Sequence, residues 1–311
     1  SHTNLWFVAK ADLAVTPPGG TVRATEVRLP IPTGHLHVDH DEVDGLVRLV
    51  AQHAPLADLT LTLTADDTDH RNGRPLPPAY EGLIPLTVQP SVVGRYRIDP
   101  ATGEVHDAEV AHDVDRVWGG VLATTDSYSA GARAHQRQLW YVGAGYDPDL
   151  VPEAWWRLYG DATDGVVAPE DLPDHPIPGS LARFDLEAMK VAEVWSYDDG
   201  AFPSPPTFVP RSGAEDPEDG YVLVVVHRDG PKELQLFDAG HLEAGPLARA
   251  TAPDFNPGLL LHSTWLPDRV GPRPSDYRVS LAQDVRGALR GLPGVLRRMG
   301  TMVRDAAGRD R

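Results

Sequence analysis

The sequence predicts an all-β protein of the β-propeller type. Two observations point there: short apolar runs are cut by frequent turn residues, and one hairpin unit recurs along the chain. The 30 prolines and 29 glycines suit many tight connections and leave no room for an architecture of long helices. Taken in order, strands are expected at residues 5–9, 22–29, 46–51, 59–63, 94–98, 138–142, 181–185, 191–197, 221–227, 233–238 and 259–265. The recurring unit is an apolar strand, an aspartate, a short turn and a second apolar strand, met at Asp12, Asp99, Asp185 and Asp238. An aspartate at that place closes the turn by accepting backbone N–H groups just beyond it. Hairpins spaced irregularly in this way suit propeller blades, which tolerate insertions between strands. A β-sandwich explains the strands but not their recurrence.

The composition narrows the chemistry. A chain of 311 residues holds one large domain or two ordinary ones, and 41% hydrophobic with 23% charged residues makes it globular. A net charge of −17 argues against nucleic acid as a partner, because phosphate binding needs a basic footprint. With no cysteine, thiolate metal sites, iron–sulfur clusters, disulfides and cysteine nucleophiles are all excluded, and the 13 histidines are the plentiful soft ligands. No apolar run reaches the ~20 residues that span a bilayer. The charge is uneven: from Asp276 to Arg311 eight arginines face four aspartates, so an acidic body carries a basic tail. There Val285, Leu289, Leu292, Leu296, Met299 and Val303 follow helical spacing. This reads as an amphipathic helix, either frayed and packed on the body or lying on a membrane surface. The expected location is cytoplasmic, with peripheral membrane contact if the tail takes the second of these two forms. The oligomeric state is left open.

Candidate ligands lie near both ends of the body. His262 sits in Leu259-Leu260-Leu261-His262-Ser263-Thr264-Trp265, where an apolar strand would deliver one imidazole inward. A lone histidine in such a run is more often a satisfied core residue than a ligand. Near the start, Gly34-His35-Leu36-His37-Val38-Asp39-His40 groups three histidines. As a zinc site this cluster is weak, since on a strand His40 points away from the other two. Ser263 beside His262 makes a poor nucleophile–base pair for the same reason. Glu215, Asp216, Glu218 and Asp219 read as a solvated turn, and Thr102-Gly103-Glu104 as a turn with no phosphate cradle.

Ordered motifs supply the context. Thr207-Phe208-Val209-Pro210, Glu218-Asp219-Gly220, 222–226, Leu236-Phe237-Asp238 and His262-Ser263 follow one another at a spacing that resembles the C-terminal region of the carotenoid cleavage oxygenase family. The hairpin from Arg95-Tyr96-Arg97-Ile98-Asp99 to Thr102-Gly103-Glu104-Val105 is similar to the family's as well. The resemblance runs from about Leu5 to Leu266 and omits the tail. It implies a seven-bladed propeller with Fe(II) on its axis, held by four histidines. That iron would use dioxygen to cleave a conjugated double bond of a carotenoid, apocarotenoid or stilbene-like substrate. Four neutral imidazoles suit iron and keep the site weakly charged. By its spacing to Asp44-Gly45, His37 is the first choice for one ligand and His262 for another, with His35 as the alternate to His37. A long apolar substrate would need an aromatic-lined tunnel, for which Phe202, Phe255 and Trp265 are candidates.

The chain departs from the family pattern in three ways. Only two of four ligand histidines can be placed. Pro205 stands where the family carries a glutamate that orients a ligand imidazole. After the central hairpin, only Asp113 or Asp115 can replace a second such glutamate. At ~40–50 residues per blade, the expected body is an incomplete arc of about five blades lacking the first ones, over residues 1–270, followed by the tail at 271–311. Such a fragment is expected to be inactive alone. The alternative reading is a non-catalytic propeller that binds an apolar molecule or a protein partner.

Overall fold

The structure, a computed structural model, describes residues 2–39, 45–57, 60–85, 87–120, 122–123, 136–197, 200–228, 230–258, 260 and 262–266. Strands β1 (Thr3–Phe7) and β2 (Thr25–Leu29) pair as an antiparallel hairpin. β3 (Thr33–Asp39), β4 (Val47–His53), β5 (Val92–Ile98) and β6 (Val105–His112) follow as a four-stranded meander in chain order. A second meander holds β7 (Leu122–Ala123), β8 (Gln138–Gly143), β9 (Ser180–Asp185) and β10 (Lys190–Ser196). In the third sheet the first strand is split into β11 (Phe202–Pro203) and β12 (Thr207–Pro210). Both halves pair with β13 (Gly220–His227), which leads on to β14 (Glu233–Asp238) and β15 (Ala248–Ala250). Successive antiparallel meanders of this kind are propeller blades.

The blades are joined by side chains that alternate along their middle strands. On β8, Leu139 and Tyr141 pack with Val93, Ala182 and Phe184 between the first and second blades. Its other face sends Trp140 and Val142 into Phe208, Val222 and Phe237, between the second and third. A further cluster of Val27, Leu29, Leu49, Ala51, Tyr96 and Ile98 joins the β1–β2 hairpin to the first blade. Phe184 and Phe237 are fully buried, each contributing about 1.5–3 kcal/mol of apolar transfer. With both faces covered, β8 reads as an unbroken apolar run.

The recurring aspartate has a definite place in this plan. Asp99 Oδ1 accepts the N–H of Ala101 at 2.7 Å, and Asp185 Oδ1 accepts those of Glu187 and Ala188 at 2.9 and 2.8 Å. Asp238 Oδ1 accepts from Gly240 at 2.9 Å. Each closes the outermost hairpin of its blade: β5–β6, β9–β10 and β14–β15. Asp12 does not follow, because Lys10–Val15 forms a short helix, α1, between β1 and β2.

Other expectations need correcting. Residues 60–63 form no strand, and neither do 260 and 262–265 among the described residues. The described residues make three blades and the β1–β2 hairpin, against an expected arc of about five blades. The length went into connections. Residues between β4 and β5, and between β8 and β9, build a cap around helix α2 (Glu153–Tyr159). Its core is Leu56, Trp118, Tyr146, Val151, Trp155 and Ile177, and Trp155 Nε1–H donates to Leu56 O at 3.0 Å. The chain divides into two units, Ser1–Trp265 and Leu266–Arg311, and the tail expected at 271–311 lies outside the described residues. Among the described residues no helix is long and apolar enough to cross a membrane.

Candidate metal centre

The site begins with a bulge on β3, the free edge of the first blade. Thr33 pairs with His53 of β4 while His35 pairs with Gln52, so Gly34 is an extra residue. Two residues apart on a regular strand would share a face; the bulge puts Thr33 and His35 on opposite faces. On Thr33's side, its Oγ1 lies 3.1 Å from His53 Nδ1, and His53 Nε2 lies 2.7 Å from the Tyr96 hydroxyl. His53 and Tyr96 are both buried. Burial pushes the His53 imidazole down to about 4 and the Tyr96 phenol up to about 12. Gly94 makes room for the pair, since a Cβ there would stand 2.6 Å from His53 Nε2.

On the opposite face lie His35, His37 and Gln52. The buried Gln52 donates Nε2–H to His37 Nε2 at 3.1 Å, and its Oε1 has no partner among the described residues. Burial first, and then the neighbouring His35 imidazole, brings His37 down to about 4. Leu36 and Val38 alternate outward and are exposed.

His262 arrives from the other end of the body. The Ser263 hydroxyl is hydrogen-bonded to the Thr207 hydroxyl at the start of β12, which ties this segment to the inner strand of the third blade. His262 Nε2 then lies 3.4 Å from His35 Nε2, with the rings edge to face at 74°. Two imidazole nitrogens bound to one metal at about 2.1 Å with a tetrahedral angle stand about 3.4 Å apart, so this pair fits two positions of a metal's coordination sphere. Among the described residues no group of three or more His, Asp or Glu could hold a metal. Of the expected ligands, then, the structure brings His262 together with His35, the alternate, and turns His37 to Gln52. His40 lies outside the described residues.

Pro205 and Pro206 are buried in the break between β11 and β12, where their missing N–H groups interrupt the ladder. The buried Ser204 bridges that gap, its N–H reaching Val225 O and its Oγ standing 2.8 Å from His227 Nε2. Asp113 is consumed by its own turn, accepting from the N–H groups of Asp115 and Arg116 and from Arg116 Nε. Phe202 is half-buried, 6.4 Å from the His227 ring, and Trp265 is exposed. A cleft of about 330 Å³ between the second and third blades is built from Arg137, Arg183, Arg211, Asp216, Glu218 and Asp238. Its ion pairs make it a seam, unsuited to an apolar polyene. Glu218 is buried there, which corrects the reading of 215–219 as a wholly solvated turn.

Sequence reasoning missed Gln52, His53 and Ser204. A signal existed: Gln52 and His53 interrupt the apolar run of β4, and buried polar groups need partners.

The family model for retinal pigment epithelial membrane protein (RPE65) matches residues 64–267. The chain belongs to this family. His262 and Pro205 fall inside the RPE65-family match, while β3 and its histidines precede it. The chain is 32% identical over 96 residues to Beta,beta-carotene 15,15'-dioxygenase of Rattus norvegicus, covering 30% of this chain and 16% of the rat protein. It is 36% identical over 91 residues to chloroplastic carotenoid cleavage dioxygenase 8 of Arabidopsis thaliana, covering 29% and 15%. With isoeugenol monooxygenase of Pseudomonas nitroreducens it shares 32% over 77 residues, covering 24% and 16%. Cobalt-substituted Synechocystis ACO is similar at a TM-score of 0.43 and 19% identity, over 76% of this chain and 39% of that one. The matches thus span well under half the length of these proteins.

Proposed function

We propose that this chain is part of a non-heme iron(II) oxygenase of the carotenoid cleavage type. The observation that carries the reading is the approach of His35 and His262 to 3.4 Å in a chain of the RPE65 family. His262 would hold the metal together with a histidine of β3. Geometry favours His35 for that place, and spacing to Asp44-Gly45 had favoured His37. When bound, iron(II) would supply the dioxygen chemistry that attacks a conjugated double bond. The chain's own part is to hold the imidazoles in place and correctly turned. β3 does so through its bulge, and the Ser263–Thr207 hydroxyl pair fixes the approach of His262. The named relatives point to a carotenoid, an apocarotenoid or a smaller aryl-alkene as substrate.

The test is iron content after anaerobic loading, measured on the purified chain and on any longer protein that contains it. Bound iron lost in His262→Ala supports the proposal. A folded longer protein that takes up none sinks it. A second reading, a propeller that binds an apolar molecule or a protein without catalysis, is favoured by Pro205 in the orienting position, and metal-free folded protein is the result it requires.

A further inference from the structure

We infer that Asn72 is a site of spontaneous deamidation, and that its conversion releases the hairpin which holds the start of α2. Of the three asparagines in the chain, Asn4 precedes a bulky leucine and Asn256 precedes proline, whose nitrogen carries no hydrogen. Asn72 alone precedes glycine, so no Cβ shields the nitrogen that follows it. Asn72 and Gly73 are both exposed, and a Cβ built on Gly73 would meet nothing within 4 Å. The reaction needs only water. The deprotonated Gly73 nitrogen attacks Asn72 Cγ; the new C–N bond closes a cyclic imide as the Cγ–Nδ2 bond breaks, and ammonia leaves with the displaced proton. Water then opens the imide at either carbonyl, giving aspartate or isoaspartate, and nothing is oxidised or reduced.

The turn restrains this reaction and is undone by it. Gly73 N–H donates to Asp69 O at 3.1 Å and Asn72 Nδ2 to Asp149 Oδ1 at 3.1 Å, so the turn must open before the imide closes. Asp69 is buried, and its carboxylate accepts the N–H groups of Asn72 at 2.5 Å and Arg74 at 2.8 Å. Isoaspartate lengthens the main chain by a carbon between residues 72 and 73, and these donors then cannot all reach Asp69. A buried carboxylate short of donors is costly. The same hairpin grips α2: His70 N–H donates to Val151 O and Glu153 N–H to Thr68 O, both at 2.8 Å, and the His70 ring stacks on Trp156 at 3.9 Å. Aspartate, the smaller change, sets a carboxylate against Asp149 where an amide had donated.

The test ages the purified chain in mildly alkaline buffer made with heavy-oxygen water, then maps its peptides by mass spectrometry with aspartate and isoaspartate resolved. Conversion at Asn72 should run about five- to ten-fold slower than in a free peptide of residues 68–76, while Asn4 and Asn256 stay amides. Asp149→Ala, which frees the Asn72 amide, should speed it. An Asn72 that is still wholly amide once the peptide is fully converted overturns the site, and this needs no variant to fold. Conversion as fast as in the peptide overturns the restraint by the turn. Hydrogen exchange then compares aged with fresh protein. The N–H groups of His70 and Glu153 should exchange several-fold faster after ageing, with β13 and β14 unchanged, and Asn72→Asp should fall between the two. Aged Asn72→Gln should exchange like the fresh chain. Unchanged exchange at His70 and Glu153 in the converted protein, or equal loosening in aged Asn72→Gln, overturns the release of α2.

Discussion

The carboxylate of Glu218 accepts the backbone N–H of Arg137 at 2.7 Å, and Arg137 Nε stands 3.0 Å from its second oxygen. Glu218 also accepts the N–H of Gln138 at 3.0 Å. One side chain from the turn between β12 and β13 therefore caps the first residues of β8 and fastens the third blade to the second. Burial pushes the Glu218 carboxyl up, against the pull of those N–H groups and the Arg137 guanidinium.

Glu218→Ala should destabilise the protein by about 2–4 kcal/mol, since it strands two backbone donors and removes the buried end of an ion pair with the exposed Arg137 guanidinium. Glu218→Gln keeps an acceptor oxygen and should lose about half as much. Urea denaturation of the two variants measures the difference; equal losses would mean that charge and not backbone capping dominates.

Gly94→Ala should disturb the first blade without touching its surface. The new Cβ would lie 2.6 Å from His53 Nε2 and 2.7 Å from the Tyr96 ring, so the His53–Tyr96 bond must open. The expected cost is about 1–3 kcal/mol, the usual range for overpacking. A thermal melt within error of the parent would show that the pair relaxes freely.

Stability should fall as the pH drops from about 6.5 to about 4. Folding lowers the His53 imidazole to about 4, from an ordinary value of 6.5. At neutral pH both folded and unfolded chains hold it uncharged, and its stability contribution is intact. Below 6.5 the unfolded chain gains a proton that the folded one refuses, costing up to about 3 kcal/mol at pH 4. His37 is shifted the same way and adds to the effect. Urea midpoints across this range should slope less steeply in His53→Gln, and an unchanged slope would rule His53 out as the source.

Asp185→Ala should cost about 0.5–2 kcal/mol through the two N–H groups it leaves at the β9–β10 turn. The same change at Asp12, where no such turn forms, should cost much less. Similar losses at both positions, read from urea midpoints, would contradict the distinction drawn between α1 and the three blade hairpins.

What the sequence determined by itself is local. Strand β14 occupies the residues its pattern predicts, and three of the four aspartate turns form, because an Asx turn needs only its own neighbours in the chain. The order of motifs around Phe208, Asp238 and His262 pointed to the family, and the family match over residues 64–267 spans all three. Tertiary structure decided the rest. The face that His35 and His37 share was set by a bulge at Gly34, which exists only as a difference between the paths of β3 and β4, and which of the two rings stands beside His262 depends on a segment more than 200 residues away. Glu218 looked like one acid in a solvated turn until Arg137 and Gln138, at the entry to β8, supplied N–H donors from about 80 residues away. His262 was read on a strand, but a hydroxyl pair with Thr207 delivers it. In each case the deciding partner is remote in sequence, and neither spacing nor hydrophobic period records which distant backbone or side chain will complete a hydrogen bond.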